Sequence, residues 1–288
     1  MNALILAAGY ATRLYPLTLN RAKPLLPVAG KPIIQWVVEQ LEPISDLEAV
    51  YIVTNNRFER DFAEWAETYR GNRPIKFEVI NDGSNSDSDK LGAIGDIYFA
   101  ANKADLFSKD LLIVAGDNLF SESLAGFAEF GREHPATLAV YNVQTLDQAR
   151  KYNELTTNPA GIITGFTEKP ENPTSTICGI ALYYYRPEVL RRLNTYIAEG
   201  NNPDQPGRFV QWLHERTDVF TYPIAGIWYD IGSHETLSGA NELFSRLAKD
   251  AKTGDSPRYG EEFMVDLPIA VFFKAKLCPT KAKQTARS

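Results

Sequence analysis

Between Met1 and Val38 the chain carries no aspartate or glutamate, yet Arg13, Arg21, Lys23 and Lys31 all fall there. Acids at the chain's average frequency would place roughly five in that stretch. A cationic segment in a protein of formal net charge −6 points to a site for an anionic ligand; the competing reading is a solvated basic face. Within it, Leu6-Ala7-Ala8-Gly9-Tyr10-Ala11-Thr12-Arg13-Leu14 follows directly on an apolar run. Small residues let a turn approach a ligand closely, and successive N–H groups in such a turn can bind phosphate oxygens. Two familiar phosphate loops do not fit. A GxGxxG fingerprint needs glycine where Ala11 and Leu14 stand, and a GxxxxGK[ST] loop needs Ser or Thr where Pro32 follows Gly30-Lys31.

Carboxylates appear at three further places. Leu111–Ala115 is an apolar run that ends in Gly116-Asp117-Asn118, Asp230 sits in Gly226-Ile-Trp-Tyr-Asp-Ile-Gly-Ser233, and Glu168 sits in Gly165-Phe-Thr-Glu-Lys-Pro170. Each has a plain alternative: a helix N-cap for Asp117, a turn residue for Asp230, and an exposed hairpin ion pair for Glu168 and Lys169.

These residues need a scaffold, and the first half supplies an alternating one. Ala3–Leu6, Ala49–Thr54, Ile75–Ile80 and Leu111–Ala115 read as short buried strands. Pro32–Leu41, Phe58–Tyr69 and Ala93–Ala104 read as helices between them. The rhythm predicts an α/β fold, a Rossmann-like, mostly parallel mixed sheet flanked by helices, with ligands beyond the carboxyl ends of the strands. The segments after Leu6, Ile80 and Ala115 are therefore the ones to inspect. Farther on, Thr137–Val143, Ile162–Thr167, Ile177–Tyr185, Val219–Tyr222 and Gly226–Tyr229 read as strands. Pro187–Glu199, Phe209–Glu215 and His234–Leu247 read as helices, with Gly200-Asn201-Asn202-Pro203 as a breaker. The expected organisation is one main domain over 1–245 and a C-terminal extension over 246–288. Beyond Asp266 that extension carries five Lys/Arg and no acids, and packing on another subunit is one expectation for it.

Composition sets outer bounds. With 44% hydrophobic and 23% charged residues the chain is of ordinary globular type. The acidic balance argues against a general nucleic-acid binder, and no run of 18 or more apolar residues suggests a membrane span. The N-terminus lacks the basic region of a leader and reads as a core strand. Cys178 and Cys278, far apart and outside any CxxC, argue against a disulfide scaffold or structural zinc and fit a cytoplasmic setting.

The run from Leu6 to Thr18, followed by Lys23-Pro-Leu-Leu-Pro-Val-Ala-Gly-Lys-Pro-Ile33, resembles the N-terminal signature of the sugar-1-phosphate nucleotidyltransferases, the family of glucose-1-phosphate thymidylyltransferase. Weaker agreement extends to about Asn241, through Gly116-Asp117-Asn118, Glu168-Lys169-Pro170 and the W-x-D-x-G element around Asp230. The resemblance implies the nucleotide-diphospho-sugar transferase fold and a set of roles. The backbone from Ala8 through Gly9, Tyr10 and Ala11 to Thr12, with Leu6 before it, would wrap the nucleotide. Asn81 and Gly92 would line the base pocket, Arg13 would bind the β- and γ-phosphates, and Lys23 the α-phosphate. Asp117 and Asp230 would bind Mg²⁺, whose preference for hard oxygen ligands and retained waters two carboxylates can meet. Glu168 would take sugar hydroxyls, Lys169 the acceptor phosphate, and Gly179 would also contact the acceptor.

Three departures carry expectations. The family's GxGTR is Gly9-Tyr10-Ala11-Thr12-Arg13 here, so an αL backbone at Ala11 would be strained by roughly 1 kcal/mol. Tyr152 is followed by Asn153 where many relatives have glycine, and Cys178-Gly179-Ile180-Ala181 lacks a tyrosine those relatives carry, which suggests a different or larger acceptor. The polar stretch Ser84–Lys90 is expected as a mobile cover over substrate.

The implied reaction joins an NTP to a sugar 1-phosphate and releases pyrophosphate. A phosphate monoester is mostly dianionic at neutral pH and needs no general base, so His134, His214 and His234 are expected to be structural. Two alternatives remain: transfer to a non-sugar phosphate such as phosphocholine, or a non-catalytic regulatory subunit that binds a nucleotide sugar. A homo-oligomer is expected by analogy.

Overall fold

The structure, a computed structural model, describes residues 1–253. The first strand, β1 (Asn2–Leu6), is short because its apolar run is short, and it is buried on both faces: Ala3 and Ile5 point into one core, Leu4 into another. Such two-sided burial is what a central parallel strand requires. The cationic loop follows, then a small antiparallel pair, β2 (Pro27–Val28) with β3 (Lys31–Pro32), and α1 (Ile33–Leu41). The alternation continues through β4 (Ala49–Thr54), α2 (Glu59–Thr68), β5 (Lys76–Asn81), α3 (Ala93–Lys103) and β6 (Leu111–Ala115). Strand β1 pairs in parallel with both β4 and β6, and β4 with β5.

After β6 come β7 (Asn118–Phe120), α4 (Ala125–Arg132), β8 (Ala136–Asn142) and a single turn, α5 (Leu146–Ala149). Strands β9 (Asn153–Thr157) and β10 (Ile163–Glu168) form an antiparallel hairpin. The nine-residue β11 (Ile177–Tyr185) then enters the main sheet antiparallel to both β6 and β8. Helices α6 (Pro187–Leu190), α7 (Arg192–Ala198) and α8 (Pro206–Leu213) precede β12 (Val219–Pro223), β13 (Trp228–Asp230) and α9 (His234–Thr253). The main sheet has seven strands in the order β12-β8-β11-β6-β1-β4-β5, parallel except around β11. It is the mixed, mostly parallel α/β sheet expected.

The sheet separates two apolar cores. One packs Leu4, Val53 and Ile113 against Ile94, Leu193 and Phe209; the other packs Ile5, Ile52 and Val114 against Val38, Phe62 and Phe127. A third, smaller core joins Leu14, Leu26 and Ile33 to Leu119, Ile231, Ala240 and Phe244, which fastens α9 over the start of the chain.

Several elements differ from expectation. The helix expected over 187–199 is divided at Arg191, whose carbonyl accepts from both the backbone N–H of Asn194 and its side-chain amide. Helix α4 was not expected from the sequence, because two glycines dilute its apolar spacing. The helix expected to end at Leu247 runs on to Thr253, past the expected domain limit at 245. The rest of the expected extension, Cys278 and the basic tail included, lies outside the described residues. Among those described, no helix is long and apolar enough to cross a membrane.

Candidate active site

The register of the sheet builds the site. Leu6 at the end of β1 lies opposite Ala115 at the end of β6, and the Gly116 N–H donates to the Leu6 carbonyl at 2.9 Å. A side chain at 116 would stand 3.0 Å from that carbonyl and from Pro24, so glycine lets the two strand ends and the cationic loop close on one another. Two residues later β7 begins and pairs antiparallel with β13, setting Asn118 opposite Asp230. Two aspartates far apart in sequence, Asp117 and Asp230, thereby face one cavity of about 440 Å³.

Lys23, Asp117 and Asp230 all line that cavity. The Lys23 ammonium donates to Asp117 Oδ2 and, at 2.9 Å, to the Ile231 carbonyl. Burial works to lower the Lys23 pKa, but the charges of Asp117 and Asp230 outweigh it and hold the group above its ordinary value. Asp230 moves the other way for an acid: burial first, and the facing Asp117 second, push it up to about 6. Asn118 is 2% exposed, and its amide nitrogen donates to Asp117 Oδ1 at 3.0 Å and Asp230 Oδ1 at 3.3 Å. Its amide oxygen accepts from Trp228 Nε1 at 2.7 Å, and the Tyr152 hydroxyl donates to Asp230 Oδ2 at 3.3 Å.

The loop after β1 is held by its neighbour β4. The Ala7 N–H donates to the Val53 carbonyl at 2.9 Å, and the Asn55 amide donates to the Ala8 carbonyl at 2.8 Å. Ala11 adopts φ 48°, ψ 43°, the left-handed conformation that costs a residue with a Cβ. The turn is nevertheless closed by Thr18, whose hydroxyl donates to the Ala11 carbonyl at 2.8 Å.

The expected nucleotide residues divide. Leu6, Gly9 and Ala11 line the cavity, whereas Ala8 lies buried behind it and Tyr10 turns beneath the loop, 3.5 Å from Ser84 Oγ. Thr12 and Arg13 are exposed beside the loop; Arg13 is outside the cavity wall, though its charge still acts on Lys23 and Asp230. Asn81 is turned elsewhere, its amide donating to Asn56 Oδ1 at 2.6 Å and Glu59 Oε2 at 2.9 Å. Gly92 has a packing reason: at φ 81°, a Cβ there would lie 2.7 Å from the Pro203 carbonyl oxygen and Asp204 Cα. Those two residues' carbonyls already take the first N–H groups of α3.

The expected acceptor residues divide as well. Lys169 lines the cavity, with its own N–H on the Tyr152 carbonyl at 2.8 Å. Glu168 points instead toward the start of α8, against Gly207, where one carboxyl oxygen is buried without a partner and burial raises the group to about 7. Gly179 is inside β11, and the Asn153 side chain clamps it, accepting from its N–H at 2.7 Å and donating to its carbonyl at 2.9 Å. The 84–90 stretch is tied down rather than free: Asp89 accepts the N–H groups of Asn85 and Ser86, and Lys90 pairs with Asp204 at 3.5 Å. Of the histidines, His134 stacks on Phe130, and the His234 ring meets the Tyr15 carbonyl at 3.0 Å.

Sequence reasoning missed Asn118, Tyr152, Trp228 and Ala181 as site residues. All four had a signal: Asn118 and Trp228 belong to the Gly-Asp-Asn and W-x-D-x-G elements that drew attention to the aspartates, and Tyr152 and Ala181 stand at the two acceptor departures noted from the sequence.

The sequence profile of the nucleotidyl transferase family matches residues 2–246. Relatives include the bifunctional protein GlmU of Methanococcus aeolicus, 24% identical over 271 residues that cover 94% of this chain and 60% of that protein. Another is the UTP–glucose-1-phosphate uridylyltransferase AglF of Haloferax volcanii, 30% identical over 191 residues, 66% of this chain and 73% of its own. The chain spans a little over half the length of the GlmU-type relatives it matches. Among solved structures, UDP-glucose pyrophosphorylase complexed with UDP-glucose superposes with a TM-score of 0.71 at 22% identity, covering 85% of this chain and 98% of that one; this likeness is one of fold. With the profile running from β1 into α9, across every element that contributes to the cavity, the chain belongs to the nucleotidyl transferase family.

Proposed function

We propose that this chain transfers a nucleotidyl group from an NTP to a sugar 1-phosphate, giving an NDP-sugar and pyrophosphate, with Mg²⁺ as cofactor. The observation that carries the reading is the convergence of Lys23, Asp117 and Asp230 on a single cavity beyond the carboxyl ends of β1 and β6. That is where an α/β sheet offers ligands its loops. The activities of the named relatives point the same way, as does the UDP-glucose bound by the structural neighbour.

The donor set suits magnesium. Asp117 and Asp230 are hard oxygen ligands facing one another, and among the described residues no cluster of three or more His, Cys, Asp or Glu is placed to hold a metal, so water and substrate phosphate would complete the shell. Bound there, the ion would neutralise charge on the phosphate oxygens. The chain's own residues do the rest. Lys23 places a permanent cation at the α-phosphate, and the loop around Gly9 and Ala11 packs its backbone against the triphosphate. Lys169, which also lines the cavity, draws in the acceptor phosphate. An oxygen of that phosphate then bonds to the α-phosphorus as the bond to the bridging oxygen breaks, and pyrophosphate leaves with the electron pair. Arg13 stands at the exposed side of the loop to receive its charge. Positioning and charge neutralisation supply the catalysis.

Ala181 favours keeping a second acceptor class in view. It presents a methyl group to the cavity, which leaves room for an acceptor shaped differently from a hexose, such as phosphocholine. The test is pyrophosphate release with Mg²⁺, each of the common NTPs, and a panel of sugar 1-phosphates plus phosphocholine, with Asp117→Asn as the blank. A sugar 1-phosphate is expected to give turnover that the blank loses. Silence across the whole panel, together with tight binding of a nucleotide sugar, would replace the reading with a regulatory one.

A further inference from the structure

The cavity holds two carboxylates, and one buried amide touches both. Asn118 donates from Nδ2 to Asp117 Oδ1 at 3.0 Å and to Asp230 Oδ1 at 3.3 Å. An asparagine amide can be turned end for end, so its orientation needs a cause. Here the cause is Trp228, whose indole N–H is only a donor and stands 2.7 Å from Asn118 Oδ1. With the oxygen committed to the indole, the NH₂ group must face the aspartates. Trp228 is itself fixed by ring contacts with Tyr141 and Tyr152 at 5.5 and 5.4 Å. The β7–β13 pairing sets the Asn118 backbone opposite Asp230, so the side chain reaches both acids without leaving its strand.

The consequence is a division of labour within each carboxylate. The Oδ1 atoms of Asp117 and Asp230 are spent on Asn118, while the two Oδ2 atoms contact Lys23 and the Tyr152 hydroxyl. Two like charges held close repel and would otherwise rotate apart; a shared donor in a buried site holds them in one arrangement. We propose that Asn118, locked by Trp228, is a positioning residue that sets the spacing and orientation of Asp117 and Asp230 so that both can bind one divalent cation. This rests on the metal reading given above and extends it to two further residues of the cavity lining.

The experiment measures Mn²⁺ affinity without nucleotide, by the paramagnetic signal of the free ion, alongside the melting temperature. Asn118→Leu keeps the volume and removes the donor; Trp228→Phe keeps a ring and removes the lock. For Asn118→Leu a loss of about tenfold or more in Mn²⁺ affinity is expected, in the range that outer-shell partners of metal ligands command, and for Trp228→Phe, one contact farther out, a smaller loss of about threefold or more. Both variants should keep a cooperative melting transition. Mn²⁺ affinity equal to wild type in the folded variants would overturn the proposal. If Asn118→Leu does not fold, Trp228→Phe decides alone by the same criterion. A wild-type chain that binds no Mn²⁺ would overturn the metal reading itself, and the positioning role with it.

Discussion

At the scale of single residues the site mixes tight fit with one deliberate misfit. Ala11 holds a backbone conformation with φ 48° that glycine adopts freely and alanine does not. Ala11→Gly should therefore stabilise the protein by about 1 kcal/mol, less what glycine adds to the entropy of the unfolded chain. In a protein of this size the melting temperature should rise by roughly 2 °C. A fall in melting temperature would mean that the loop gains more from alanine's stiffness than it loses in strain. The possibility of that strain was legible in the sequence, because the family resemblance placed alanine where glycine is usual. The orientation of Glu168 was not legible: nothing in Gly165–Pro170 says that its carboxyl turns to Gly207 while Lys169 turns to the cavity. That choice is made by α8, a neighbour distant in sequence.

Elements differ in how plainly they announce themselves, and the reason is burial. Strands β4 and β6 match their expected limits because all six residues of β4 are buried and β6 is an unbroken apolar run. Strand β7 has three residues and no room for a pattern, yet its pairing with β13 is what brings Asp117 to Asp230. The sequence thus pointed to both aspartates without showing the ribbon that brings them together. Helix α3 makes the same point with its cap. Gly92 reads from sequence as part of a base pocket, and in the structure its backbone packs directly against Pro203 and Asp204. Gly92→Ala would drive a methyl to 2.7 Å from backbone atoms at a φ of 81°, so a loss of about 3 kcal/mol or more is expected, read from denaturant unfolding. A loss below about 1 kcal/mol would show that the 203–204 segment gives way easily.

Taken whole, the molecule stores a pH dependence in groups outside the lining of its cavity. Asp96, on α3, is 7% exposed with one carboxyl oxygen lacking a partner. Burial, and then the neighbouring Asp82, raise it from 3.8 to about 8. Asp82 itself accepts the N–H and hydroxyl of Ser84. Between pH 4 and 8 the folded chain thus keeps a proton at Asp96 that the unfolded chain gives up, and stability falls as pH rises through that window. Glu168, raised from 4.5 to about 7, adds to the same slope over its own narrower range. Asp96→Asn removes the ionisation while keeping the shape. Its melting temperature should exceed that of wild type by roughly 5 °C at pH 8.5 and by much less at pH 4. An equal difference at both pH values would mean that Asp96 does not titrate in this range. Lys23 closes the view at this scale: its two partners, Asp117 and Ile231, lie 94 and 208 positions downstream. A ribosome makes the cationic loop 208 residues before the carbonyl that completes its cradle. Over that interval the nascent chain carries Lys23 without the pocket it belongs to. A ribosome stalled short of Ile231 would hold a chain in which the cradle of Lys23 is still unfinished.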